Sequence, residues 1–257
     1  MGSILKTENW SVSDLQLDAD AVLRGQGADP QIVRGRRPRL VEIAEQALAG
    51  SRFLLEPQVF LRKLAVRSLR HEKLELEGGL SIKGAWITGQ LAPAESVYAI
   101  ICTVGQKIET EASRNLDTDM LMGLAMDGVG SAGVEALATL VCKQIEDQAA
   151  LAGLQTTVPF SPGMLEWSVE EGQQVIFDIL TEINNVVELT PSLLMRPRKS
   201  LSMLLGVGAE LGAKGSTCDY CAMQGTCKYR ANGSNDEQRL KRLDTEEAEK
   251  VLDQPPG

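Results

Sequence analysis

The sequence predicts an α+β fold in which an antiparallel sheet packs against a helical layer. Three observations carry that prediction. Strand-like runs gather near 67–86, 96–105 and 189–208, whereas helical periodicity occupies long separate stretches at 33–55 and 105–152. The run SVYAIICTVG is apolar and rich in β-branched residues, and it stops at Gly105, as a buried strand does. Aromatic residues make up only 4% of the chain, so aliphatic side chains must fill the core between the layers.

In chain order, residues 12–26 read as a leader with a short helix. VRGRRPRLVEIAEQALAGSRFLL reads as one helix, because Leu40, Ile43, Ala44, Ala47 and Leu48 recur at helical spacing. From Arg67 to Trp86, short apolar runs are broken by Gly78-Gly79, which predicts strands joined by turns. Residues 105–152 read as helical throughout. Small residues from Gly123 to Ala138 predict close helix packing there. Within that stretch Gly128, Gly130 and Gly133 spell G-x-G-x-x-G. They sit in a helical pattern rather than after a strand, which argues for packing and against a phosphate loop. VPFSPG is a loop. VEEGQQVIFDILTEI has an apolar helical face, and LTPSLLMRPRKSLSMLLGVG reads as a turn and a strand. The 233–257 tail reads as a charged, exposed helix. The division that follows is 1–54 as leader and helix, 55–212 as the main domain, 213–232 as a cysteine segment, and 233–257 as the tail.

The 257 residues carry a formal net charge of −9, with a pI of about 4.9. That balance disfavours nucleic acid and anionic membranes as partners. The first residues lack the basic and apolar regions of a signal peptide. No run of residues reads as a membrane span, so the expected location is cytoplasmic.

A cytoplasmic setting gives meaning to STCDYCAMQGTCKYR, which holds Cys218, Cys221 and Cys227. Disulfides are rare there, and clustered thiols point to metal or redox chemistry. Cys218-x2-Cys221 brings two sulfurs to one point, and Cys227 closes onto the same centre. An iron–sulfur cluster and a zinc ion both suit such thiols. Zinc ordinarily takes four ligands; a four-iron cluster takes four thiolates, or three with one iron open. Cys102, Cys142 and the lone His71 are the candidates for a fourth ligand.

The stretches PFSPGMLEWSVEEGQQVIFDIL and VVELTPSLLMRPRKSLSMLLGVG carry a resemblance. So do AESVYAIICTVGQKIE and DGVGSAGVEALATLVCKQIE upstream. Together they resemble the activation (reactivation) domain of vitamin B12-dependent methionine synthase. The matching positions are Pro162, Gly163, Leu189, Thr190, Ser192, Met195, Pro197, Ser200 and Ser202, with Glu135 in the central helix. The resemblance spans about residues 55–210, and no single motif decides it; the order of the motifs does. It fits best the short stand-alone relatives of anaerobes, some of which end in a cysteine cluster.

The resemblance implies an activation-domain-like fold, S-adenosylmethionine as methyl donor, and a partner corrinoid protein or methyltransferase that holds the cobalt. It implies cofactor-binding roles for Glu135, Ser161, Pro162, Gly163, Met164 and Glu166, with no catalytic side chain, because Co(I) itself attacks the methyl group. It also implies reductive activation of that partner, to which a cluster on Cys218, Cys221 and Cys227 would deliver the electron. The alternative is a non-catalytic corrinoid-protein binding or electron-relay module. Two positions depart from the family pattern. Pro159 stands where the family has an arginine that would fork onto the ligand's carboxylate, and Met164 replaces the loop tyrosine.

Overall fold

The computed structural model describes residues 4–164, 166–211 and 217–220. Its architecture is α+β. Strand β1 (Ile4–Asn9) is followed by helices α1 (Ala19–Gly25), α2 (Pro30–Arg36) and α3 (Pro38–Ser51). Next come β2 (Gln58–Arg70), β3 (Lys73–Leu76), β4 (Ser81–Lys83), α4 (Ala85–Leu91) and β5 (Ser96–Thr103). Helices α5 (Lys107–Leu116) and α6 (Met120–Leu151) lead to β6 (Gln155–Thr156) and α7 (Val169–Leu180). The small strands β7 (Glu188–Leu189) and β8 (Met195–Arg196) pair with each other before β9 (Ser200–Gly208) returns to the main sheet.

That sheet runs β4-β3-β2-β5-β9-β6 and is antiparallel at every pairing. Strand β1 adds to the first half of β2, with Ile4 opposite Lys63 and Asn9 opposite Gln58. Strand β3 takes the second half of β2. Alternation along the strands sends successive side chains to opposite faces. Val59, Leu61, Tyr98, Ile100, Cys102, Met203, Leu205 and Val207 face a layer built from α1, α3, α5 and α6. Phe60, Leu64, Val97, Ala99, Ile101 and Leu204 face a second layer with α4, α7 and the loop around Phe160. A strand covered on both faces buries every side chain, and all eight residues of β5 are buried.

Several expected elements are redrawn. The single helix read over 33–55 is two helices, because Arg37 precedes Pro38 and takes a non-helical backbone (φ −145°, ψ 62°). The continuous helix over 105–152 breaks at 117–119, where the Asp119 carboxylate caps α6 by accepting the Met122 N–H at 3.1 Å. Strand β2 starts at Gln58, nine residues before the expected onset at Arg67, and Trp86 belongs to α4 rather than a strand. Residues 4–54, read as leader and helix, contribute β1 to the sheet and Leu15, Val22, Leu23, Val41, Ala44 and Ala47 to the core.

Helix α6 has the length and apolarity of a membrane span, which the sequence reading did not register. In the fold its apolar side faces the sheet and neighbouring helices. Its glycines allow the close packing expected of them. A Cβ on Gly25 of α1 would stand 2.5 Å from the Gly128 carbonyl oxygen, so these two backbones touch only because both lack side chains. Beside this contact on α6, Lys199 lies buried with its Nζ 2.8 Å from Asp127 Oδ2 and 2.9 Å from Ser131 Oγ. That pair fastens the start of β9 to α6.

Candidate functional site

Residues 159–167 form the candidate site. Phe160 is completely buried, and its backbone exchanges hydrogen bonds with Leu204 of β9 (2.9 and 2.8 Å), so the loop hangs from the sheet. Pro162 rests on α7, where a Cβ at Gly172 would come within 2.7 Å of the Pro162 Cβ. Gly163 takes a φ of +94°, which a side chain would strain. The turn is closed by its own backbone. The Gly163 N–H donates to the Trp167 carbonyl at 2.9 Å, the Met164 N–H to the Ser161 carbonyl at 3.2 Å, and the Trp167 N–H to the Met164 carbonyl at 2.9 Å. The Ser161 N–H donates to Met164 Sδ at 3.2 Å.

These contacts define what the turn can offer. Its N–H groups at Ser161, Gly163 and Met164 are already engaged. Met164, at the family's tyrosine position, is buried and turned inward. Glu166 is exposed. Trp167 is 1% exposed, and its indole N–H is buried without a partner among the described residues. Four of the six expected binding residues, Ser161, Pro162, Gly163 and Met164, therefore share one compact turn.

Glu135 lies elsewhere, on α6, whose buried residues meet the opposite face of the sheet from Phe160, Met164 and Trp167. Its residue is exposed, yet desolvation by the surrounding protein holds its carboxyl above the ordinary carboxylate range. The candidates for a fourth metal ligand are placed as follows. Cys102 is completely buried in the helical-side core, and burial, then Cys142 and Glu135, push its thiol well up. Cys142 has its Sγ 3.6 Å from Met203 Sδ in the same core, and burial, reinforced by Glu146, raises its thiol to about 11. His71 sits on the exposed turn between β2 and β3, with a φ of 47°.

Cys221 and Cys227 lie outside the described residues, as do the Cys218 side chain and the 233–257 tail. Among the described residues no three histidine, cysteine or acidic side chains gather into a metal site. The segment Thr217–Tyr220, which includes Cys218, forms a short 3-10 turn. Its Tyr220 ring meets Phe160 at 5.7 Å (interplanar angle 88°) and Trp86 of α4 at 6.1 Å, while Trp86 meets Phe160 at 5.4 Å. Sequence reasoning missed this aromatic triad. The signal available was a tyrosine between two cysteines in a chain with only three tyrosines and three tryptophans.

No family model matches the chain, and no curated protein matches it. Solved structures do. One is the MetH reactivation domain, solved bound to AdoHcy: TM-score 0.62 and 14% identity over 93% of this chain and 86% of that one.

The chain shares the fold of the MetH reactivation domain.

Within the reactivation-domain fold, the expected sheet and helical layer are present. The second layer over the other face and strand β1 are what the sequence reading left out.

Proposed function

We propose that the chain is an accessory protein of corrinoid-dependent methyl transfer, a reactivation module for a partner corrinoid protein. The likeness of the fold, over 93% of the chain, to a reactivation domain solved with AdoHcy carries this reading. Cys218, Cys221 and Cys227 are a donor set suited to an iron–sulfur cluster, with zinc as the alternative. A cluster there would supply one electron at a time, which is what oxidised cobalt requires.

The chemistry of the turn selects between two forms of this reading. S-adenosylmethionine presents a carboxylate, which needs a cation or free N–H groups. Pro159 supplies no charge, and the N–H groups of Ser161, Gly163 and Met164 are engaged inside the turn. The turn as folded does not fit that carboxylate. The favoured form is an electron-relay module that docks a corrinoid protein, with the turn as part of the docking surface. In it the residues of this chain hold the relay and position the partner, and no side chain acts as nucleophile or base.

The test mixes the anaerobically purified protein with a Co(II) corrinoid protein and a low-potential reductant. Faster loss of the Co(II) spectrum without S-adenosylmethionine supports the relay. Acceleration only with S-adenosylmethionine returns the reading to a reductive methyltransferase. No acceleration in either case overturns the proposal.

A further inference from the structure

We infer that the free edge of β1 pairs with the same edge of a second copy of this chain, closing a two-fold dimer around Thr7. Strand β1 is bonded to β2 on one side only. On its other side the outward N–H and C=O groups have no hydrogen-bond partner among the described residues. Sheet edges are commonly guarded by a proline, a bulge or an unmatched charge. ILKTEN holds no proline, and its register with β2 runs unbroken from Ile4 opposite Lys63 to Asn9 opposite Gln58. The edge is therefore regular and able to accept another strand.

The charges of β1 select which strand it accepts. Side chains alternate along a strand, so Lys6 and Glu8 share one face of the sheet, and Leu5, Thr7 and Asn9 share the other. Lys6 lies opposite Leu61 and Glu8 opposite Val59, which places both on the helical side, where they form an ion pair along the strand. Two identical strands can pair antiparallel with Thr7 on the two-fold axis. Lys6 of each copy then stands directly opposite Glu8 of the other, so both charges are met twice, and Thr7 meets Thr7. A slide of one copy by two residues would set Lys6 against Lys6 or Glu8 against Glu8, and a slide by one would lose both ion pairs. Lys6 alone would repel another strand; with Glu8 beside it on the same face, it specifies a copy of itself. Both copies use the same edge, so the assembly closes at two.

The test follows the full chain by sedimentation velocity over a range of concentrations, with circular dichroism to show that each variant is folded. The wild type is expected to dimerise. Lys6→Glu alone and Glu8→Lys alone each place like charges opposite one another twice, and each is expected to dimerise about tenfold more weakly or worse. An equimolar mixture of the two variants is expected to restore the dimer, because the substitutions are complementary across the axis; native mass spectrometry identifies the mixed species. The double variant Lys6→Glu/Glu8→Lys is expected to dimerise as the wild type does, and it decides the matter if a single variant fails to fold. A wild type that stays monomeric overturns the inference and leaves the edge to a strand of another protein. A dimer that neither substitution weakens, or one that neither the mixture nor the double variant restores, overturns it as well.

Discussion

Individual residues decide the chemistry of this chain more than its fold does. Pro159 is the clearest case. An arginine in its place would present two parallel N–H donors to a carboxylate, a contact proline cannot make. Pro159→Arg is expected to tighten binding of S-adenosylhomocysteine by roughly tenfold or more, since hydrogen bonds to charged groups contribute about 1.5–3 kcal/mol; titration calorimetry of both proteins checks it. Cys142 makes the opposite point about reactivity. With its thiol raised to about 11, it holds about a thousandth of its molecules as thiolate at pH 8, against roughly a quarter for an ordinary cysteine. Its alkylation by iodoacetamide at pH 8, followed by mass spectrometry, is expected to be slower by about two orders of magnitude. The same shift has a thermodynamic side. Between the ordinary thiol value of about 8.5 and about 11 the folded state holds a proton that the unfolded state releases. Stability therefore falls as pH rises through that window. None of this was readable from the sequence, where Cys102 and Cys142 look alike as thiols in apolar runs.

Among elements, legibility followed the strength of the local pattern. β5 was legible because it is apolar at nearly every position, and a strand buried on both faces has to be. α7 was legible by its periodicity, although Val169, placed on its apolar face, is exposed. β1 was not legible: ILKTEN is mixed and mostly exposed, and its only claim to strand geometry is the partner it finds 49 to 59 positions away. The glycines of α6 were legible as packing residues, and elsewhere in the helical layer the surroundings of a glycine decide the sign of its substitution. Gly25→Ala forces a methyl group against the Gly128 carbonyl and is expected to cost about 1–3 kcal/mol. Gly50→Ala, on α3 with nothing within 4 Å, is expected to gain about 0.5 kcal/mol from helix propensity and a less disordered unfolded chain. Urea unfolding of the two variants measures both.

For the whole molecule, the sheet is a scaffold with two different sides. Its helical side is a closed aliphatic core; its other side carries the turn and the aromatic triad. Removing residues 1–9 takes β1 off the first half of β2 and leaves that edge unpaired. The shortened chain is expected to unfold at lower urea and to self-associate, as size-exclusion chromatography would show, because an uncovered edge strand recruits other strands.

The two sides of the sheet also bear on how the protein must be handled. Of the chain's five cysteines, Cys102 is buried and Cys142 partly buried on the helical side, while Tyr220 packs on the other. The metal proposed for Cys218, Cys221 and Cys227 would then draw no fourth thiol from that helical-side core. A centre held on three sulfurs exchanges its remaining corner with whatever the solution provides. Chelators and oxygen are therefore expected to strip it faster than a closed four-thiolate site, and protein isolated in air with a chelating buffer would be the apo form.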